Sequence, residues 1–215
     1  MSTPPLEQRF VAIVDDEASI RDSLQMLLRA AGYVTRVFST AEALLREALP
    51  SFVCVLVDLR LPDMNGLELQ AELGRRAPAP PVIVITAHGD VSSARAALLA
   101  GAVDFLEKPI DNDELLTAVR AAVAGSYRLQ EARVADERAR TLLATLSARE
   151  REVFDQIVGG LHNREIAMNL GISQRTVEVY RAHVMAKLRA RRLADLLRFR
   201  LALPRELPDR NAGTK

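Results

Sequence analysis

The sequence predicts two folds in series. The first is an α/β domain, a doubly wound five-stranded parallel sheet; the second is an all-α four-helix domain built around a helix-turn-helix. Three observations carry this. Short apolar runs alternate with helical patterns over the first 110 residues, as buried parallel strands do. Beyond Leu146 come short capped helices, two of them joined by a glycine-containing turn. The charge divides at the same place. Residues 1–124 hold 11 Lys/Arg and 17 Asp/Glu, residues 125–144 hold 4 and 3, and residues 145–215 hold 14 and 8. An acidic half joined to a basic half suggests that the second faces a polyanion.

The elements follow in order. Phe10–Val14 is an apolar strand. Ala18–Ala31 carries Ile20, Leu24, Leu27 and Leu28 at helical spacing, and Gly32 follows as expected past a helix end. Tyr33–Phe38 is a second strand. Ser39 or Thr40 caps a helix through Ala48, and Pro50 ends it. Phe52–Val57 is the third strand, and Leu61–Gly66 has loop and turn chemistry. Leu67–Arg76 is a helix stopped by Pro78, Pro80 and Pro81. Val82–Thr86 is the fourth strand, Asp90–Ala100 a helix closed by Gly101, and Val103–Leu106 the fifth strand. A helix starting near Asp111 meets no clear stop before Leu143. Its last part reads either as a solvated connector or as a helix pairing with a second copy.

The second domain opens on Ser147-Ala148-Arg149-Glu150, a capping box. A helix runs to Val158 and stops at Gly159-Gly160. Asn163–Leu170, a turn at Gly171–Ser173, Gln174–Arg189 and a helix near Leu193–Leu201 complete it. The expected divisions are 8–124, a linker helix 125–144, 145–203, and a disordered tail 204–215.

Hydrophobic residues make up 49% of the 215, which excludes global disorder. The single cysteine, Cys54, lies in an apolar strand and reads as packed and inert. No apolar run approaches the ~20 residues of a spanning helix, and no secretory signal is visible, so a cytoplasmic protein without membrane contact is expected.

Four strands end in residues suited to phosphoryl chemistry. They deliver Asp15 and Asp16, Asp58, Thr86, and Lys108-Pro109. In an open α/β sheet the functional groups gather outside the carboxyl ends of the strands. Three clustered carboxylates suit Mg²⁺, and one of them can act as nucleophile toward a phosphoryl donor. Lys108 neutralises transferring oxygens, and Thr86 can hydrogen-bond a phosphoryl oxygen.

In the helix-turn-helix, Val177, Tyr180, Val184 and Leu188 share one face of the third helix and should be buried. Arg175, Glu178, Val179 and Ala182 share the opposite face and point toward base edges, with Thr176 beside them. Arg181, Lys187, Arg189, Arg191 and Arg192 are placed for phosphates. Glu178 has two readings: it accepts from a cytosine amino group, or it pairs with a neighbouring arginine and orders it.

Two resemblances rest on these residues. Val14–Glu17, Asp58–Gly66, Thr86–Asp90 and Asp104–Pro109 make residues 8–124 resemble the flavodoxin-like receiver domain of bacterial two-component response regulators. Leu146–Val153, Gly160–Ala167, Leu170–Ser173, Thr176–Arg181 and Met185–Leu188 make Leu146–Leu203 similar to the DNA-binding domain of LuxR, NarL and FixJ regulators. The Thr86–Asp90 run looks most like the FixJ branch. Tyr180 stands where histidine is common, and Leu188–Arg192 is more basic than usual.

The resemblance implies that Asp58 accepts phosphate from a sensor histidine kinase. Asp15, Asp16, Asp58 and the Arg60 backbone carbonyl would hold Mg²⁺, and Thr86, Phe105 and Lys108 would form the switch. The Lys108–Pro109 bond is expected to be cis. Phosphorylation would repack the surface of the fourth helix, fifth strand and fifth helix and favour a homodimer on promoter DNA. RNA polymerase is the further partner, and activation is the expected sign. The chain would be a switch rather than an enzyme, beyond catalysing its own phosphoryl transfer and dephosphorylation. Two alternatives are a Mg²⁺-dependent phosphohydrolase with an aspartyl-phosphate intermediate, and a phosphate-independent DNA-binding protein whose receiver only docks. Against the first, Arg60 stands where a second acid/base carboxylate would be needed.

Overall fold

Five parallel strands form one sheet: β1 (Phe10–Val14), β2 (Thr35–Phe38), β3 (Phe52–Asp58), β4 (Val82–Thr86) and β5 (Asp104–Glu107). They pair in the order β2-β1-β3-β4-β5. The computed structural model describes residues 9–76, 78–87 and 91–201, with the side chains of Val91 and Ser93 left aside. The chain divides into two units at Gln130/Glu131.

In the first unit both sheet faces are covered, which is why β3 is buried along its whole length. Leu24 and Leu28 of α1 (Ala18–Ala30) and Leu115 and Val119 of α5 (Asn112–Leu143) pack on Val11, Ile13, Leu56, Ile83 and Ile85. Leu44 of α2 (Ala41–Leu45), Leu69 and Leu73 of α3 (Gly66–Arg75) and Ala97 of α4 (Val91–Leu99) pack on Ala12, Val14, Val55, Val57 and Val84. The strand order reverses between β1 and β3, so a crevice opens at their carboxyl ends. Cys54 is buried in β3, and burial pushes its thiol up to about 12, which leaves it unreactive.

Several boundaries differ from expectation for local reasons. β2 starts at Thr35 rather than Tyr33, because the Tyr33 amide closes the end of α1 on the Leu28 carbonyl at 2.9 Å. α2 stops at Leu45, short of Ala48, and the chain enters a 3₁₀ turn, Leu49–Ser51, that carries Pro50. β3 reaches Asp58 and β5 is shifted to Asp104–Glu107. α5 passes through Gly125 and Ser126 without a break. The expected helix start at Asp90, the His88–Asp90 part of the Thr86–Asp90 motif and the tail 204–215 lie outside the described residues.

The second unit is helical: the end of α5, then α6 (Ala148–Val158), α7 (Asn163–Leu170), α8 (Gln174–Lys187) and α9 (Leu193–Leu201). Val153, Phe154, Ile157, Ile166, Val177, Val184, Leu188 and Leu196 form its core. The Ser147–Glu150 capping box forms as expected. α8 stops at Lys187, two residues short of Arg189. Arg189 turns to φ 52° and lets the Ala190 amide close on the Met185 carbonyl at 2.9 Å. Among the described residues no helix is long and apolar enough to cross a membrane.

Candidate functional site

The crevice at the carboxyl ends of β1 and β3 collects the predicted carboxylates. Asp15 follows β1 and Asp58 ends β3, and both are buried, whereas Asp16 is exposed. One oxygen from each of Asp15, Asp16 and Asp58 lies within 4.8 Å of the others. Backbone amides hold one oxygen of each buried carboxylate. Glu17 N donates to Asp15 Oδ1 and Arg60 N to Asp58 Oδ1, each at 2.9 Å.

Lys108, from the segment after β5, takes the other oxygens. Its Nζ donates to Asp15 Oδ2 at 2.8 Å and to Asp58 Oδ2. Glu17 Oε1 lies 3.8 Å away. Burial alone would lower the Lys108 ammonium, but its bonds to Asp15 and Asp58 outweigh this and hold it above the ordinary lysine value. Burial pushes the Asp15 carboxyl up, even against the lowering effects of Lys108 and the Glu17 amide, and the Asp58 charge adds to the rise. Three carboxylates thus face one ammonium. Their hard oxygens fit a small divalent cation.

Thr86 ends β4 beside this crevice, with Asp58 in register with its neighbour Ile85. It is buried, and its carbonyl accepts from Lys108 N at 2.7 Å, which anchors the lysine at the site. Phe105 is half-buried on β5, opposite Val84, and packs on the face covered by α2, α3 and α4. The Lys108–Pro109 peptide is cis.

Two residues inside the Asp58–Gly66 motif have supporting contacts that the motif itself does not reveal. A Cβ on Gly66 would strike the Asp58 carbonyl oxygen and come 2.9 Å from Leu59 Cα. The glycine lets the loop after β3 fold back on the acidic strand end, where Gly66 N donates to the Leu59 carbonyl at 2.9 Å. Asp63 crosses to the start of α2 and accepts from the Ala41 and Glu42 amides at 3.2 and 2.8 Å. Burial would raise its carboxyl, but the amides of Glu42, Ala41, Asp63 and Met64 together outweigh this and hold it below the ordinary value. Proline–aspartate turn chemistry signals a loop, but nothing local indicates which helix the aspartate caps.

In the second unit, Gly171 adopts φ 65° between α7 and α8, and the Ile172 amide closes on the Ala167 carbonyl at 3.0 Å. Ser173 caps α8 through the Thr176 amide at 3.1 Å, and its hydroxyl also bonds that of half-buried Thr176. Val177, Val184 and Leu188 are buried, and Tyr180 is half-buried. Arg175, Glu178, Val179 and Ala182 are exposed together on the opposite face. Glu178 makes no ion pair among the described residues. Arg181 donates to Asn163 Oδ1 at 3.1 Å, which ties α8 to α7.

Lys187 occupies a different place from the phosphate-facing one expected. Its Nζ donates to Glu150 Oε2 at 2.5 Å and to the Thr145 carbonyl at 3.2 Å. Glu150 is buried, accepts from Ser147 N at 2.7 Å, and has His183 Nδ1 3.7 Å away. The Lys187 ammonium, helped by the Ser147 amide, depresses the Glu150 carboxyl to about 2. The lysine is directed inward by a carboxylate 37 positions earlier in the chain.

Comparison with known proteins agrees with both halves. The family described as "Response regulator receiver domain" matches residues 11–120, and the one described as "Bacterial regulatory proteins, luxR family" matches residues 144–200. The chain is 47% identical over 197 residues to the transcriptional regulatory protein FixJ of Rhizobium meliloti, spanning 89% of this chain and 95% of the relative. It is 43% identical to the C4-dicarboxylate transport transcriptional regulatory protein DctR of Rhodobacter capsulatus, spanning 87% and 97%. The solved structure of the response regulator StyR superposes with a TM-score of 0.79 at 35% identity, covering 91% of this chain and all of the other. Full-length FixJ from B. japonicum gives 0.54 at 36% identity, covering 91% and 97%.

Proposed function

This chain belongs to the bacterial response regulators that join a receiver domain to a LuxR-type DNA-binding domain, and from that premise we propose that Asp58 is its phosphoryl acceptor. The observation that carries this is the Lys108 ammonium shared between Asp15 and Asp58 at the strand ends, with Asp16 alongside.

A sensor histidine kinase supplies the phosphoryl group. An Asp58 oxygen forms the new bond to phosphorus as the phosphorus–nitrogen bond of the donor histidine breaks. Asp15, Asp16, Asp58 and the Arg60 carbonyl would hold Mg²⁺, which would supply charge neutralisation for the transferring oxygens. Lys108 exchanges its Asp58 contact for a phosphoryl oxygen and keeps its bond to Asp15. The added charge, roughly −1.5 to −2, draws the Thr86 hydroxyl, and Phe105 turns into the space this leaves. The seat of α4 and the neighbouring β5 surface change with it. The receiver then favours a homodimer.

Dimers place two copies of α8 in successive major grooves of promoter DNA. Arg175, Thr176, Glu178, Val179 and Ala182 face base edges, and Arg181 lies toward the backbone, while Lys187 is held inward on Glu150. RNA polymerase is the downstream partner, activation is the sign of regulation, and the cytoplasm is the compartment. The protein acts as a switch with self-limited phosphoryl chemistry, not as a turnover enzyme.

The test incubates wild-type and Asp58→Asn protein with acetyl phosphate and Mg²⁺. Wild type gains the mass of one phosphoryl group, shifts toward dimer and binds specific DNA more tightly. The variant does none of these. Equal labelling of Asp58→Asn removes the assignment.

A further inference from the structure

The reading above makes the seat of α4 a moving part of the receiver, and the present inference rests on it. α4 is thinly anchored. Among its described side chains Ala97 alone is buried, while Leu98 is 50% and Leu99 77% exposed. Described side chains that bury so little apolar surface contribute little to the helix's local stability.

One tie comes from α3. Gln70 is only 4% exposed, and its Nε2 donates to the Ala97 carbonyl at 3.0 Å. It lies in the same buried stripe as Leu69 and Leu73, where an apolar side chain would serve packing alone. The opposite end of the amide is anomalous: Oε1 is buried and meets no donor. A buried polar atom without a partner is costly. One end of the Gln70 amide therefore holds α4, while the other offsets part of that gain. The net hold is therefore modest, small enough for binding of a phosphoryl group to overcome.

We propose that Gln70 is a positioning residue for the phosphorylation switch: its amide holds α4 in the resting seat through Ala97, and that bond breaks when the receiver adopts its phosphorylated packing. Binding of a phosphoryl group or its mimic at Asp58 must then work against the tether. By linkage, loss of the tether tightens binding at Asp58, although Gln70 touches neither the acidic cluster nor Lys108.

Gln70→Leu and Gln70→Met remove the donor and the orphaned oxygen together and keep an apolar side chain in the stripe. The Ala97 carbonyl keeps the Ala102 amide at 3.0 Å, so no backbone acceptor is stranded. The experiment titrates beryllofluoride, a phosphoryl mimic, into the full-length protein at saturating Mg²⁺ by calorimetry, with the thermal midpoint recorded alongside. Both variants should bind the mimic roughly fivefold more tightly than wild type, the equivalent of one net hydrogen bond. Affinity equal to or weaker than wild type overturns the inference, whatever the midpoint does, because a purely structural tie moves the midpoint alone. A variant that fails to fold overturns it too, since Gln70 would then serve packing. Failure of the Asp58 assignment looks different: wild type itself would not bind beryllofluoride, or Asp58→Asn would bind it equally.

Discussion

Lys187→Met removes the ammonium facing Glu150 and retains most of the lysine's apolar stem. Glu150 sits at about 2 against an ordinary 4.5. At ~1.36 kcal/mol per tenfold change in proton affinity, that displacement corresponds to roughly 3 kcal/mol of preference for the charged form in the folded domain. The Lys187 bond is the largest contributor, followed by the Ser147 amide, which the variant keeps. Lys187 is 40% exposed, so water replaces part of what is lost. The expected cost at pH 7 is therefore about 1–2 kcal/mol for the second domain. Its pH dependence has a definite sign. A depressed carboxyl contributes stability above its unfolded value, and the contribution disappears as pH falls from 4.5 toward about 2. Urea melts of the full-length protein followed by circular dichroism should separate wild type and variant at pH 7, and the two should converge across that acidic window. Salt-dependent DNA binding provides a second readout. A phosphate-contacting lysine would lower the slope of log affinity against log salt by about 1 on substitution. An inward-paired lysine leaves that slope unchanged. Equal melting at pH 7 together with a shallower slope would refute the reasoning.

Three further outcomes follow from the geometry. Gly66→Ala forces a Cβ against the strand that ends in Asp58, so acetyl-phosphate labelling should fall and stability drop by about 1–3 kcal/mol, read by mass spectrometry and thermal melting. Asp63→Ala uncovers the Ala41 and Glu42 amides and should cost about 1 kcal/mol in a urea melt, with labelling of Asp58 retained. Glu178→Gln should leave the melting midpoint unchanged and alter base preference at one position per half-site in a binding selection; an unchanged preference would place Glu178 outside direct readout.

The acidic site was legible because it depends on topology more than on side-chain detail. A run such as Phe52–Val57 identifies a buried strand, and the residue that follows must emerge at its carboxyl end. Asp15, Asp58, Thr86 and Lys108 needed only that rule to converge. The exposed face of α8 was legible for the same reason, since one period assigns Val177, Val184 and Leu188 inward and Arg175, Glu178 and Val179 outward. The shortened α2 was less visible, because Leu44, Leu45 and Ala48 keep a helical pattern that the 3₁₀ turn before β3 overrides.

What stayed hidden shares one property: the residue's role is set by a partner that no local pattern names. Lys187 at the end of a basic helix reads as solvent-facing or phosphate-facing, and periodicity cannot reveal that a capping glutamate from α6 lies beneath it. Gln70 reads as polar surface, because a glutamine between two apolar helix positions is ordinary until Ala97 of another helix is seen to accept from it. Gly66 reads as a turn residue until the Asp58 carbonyl is found where a side chain would stand. All three lie one layer behind the groups assigned to chemistry or to DNA. They govern where those groups sit. The groups that touch phosphate or bases can thus follow from spacing alone. How readily the receiver responds, and how firmly α8 is held, depend on contacts between elements that the fold brings together only after the chain has collapsed.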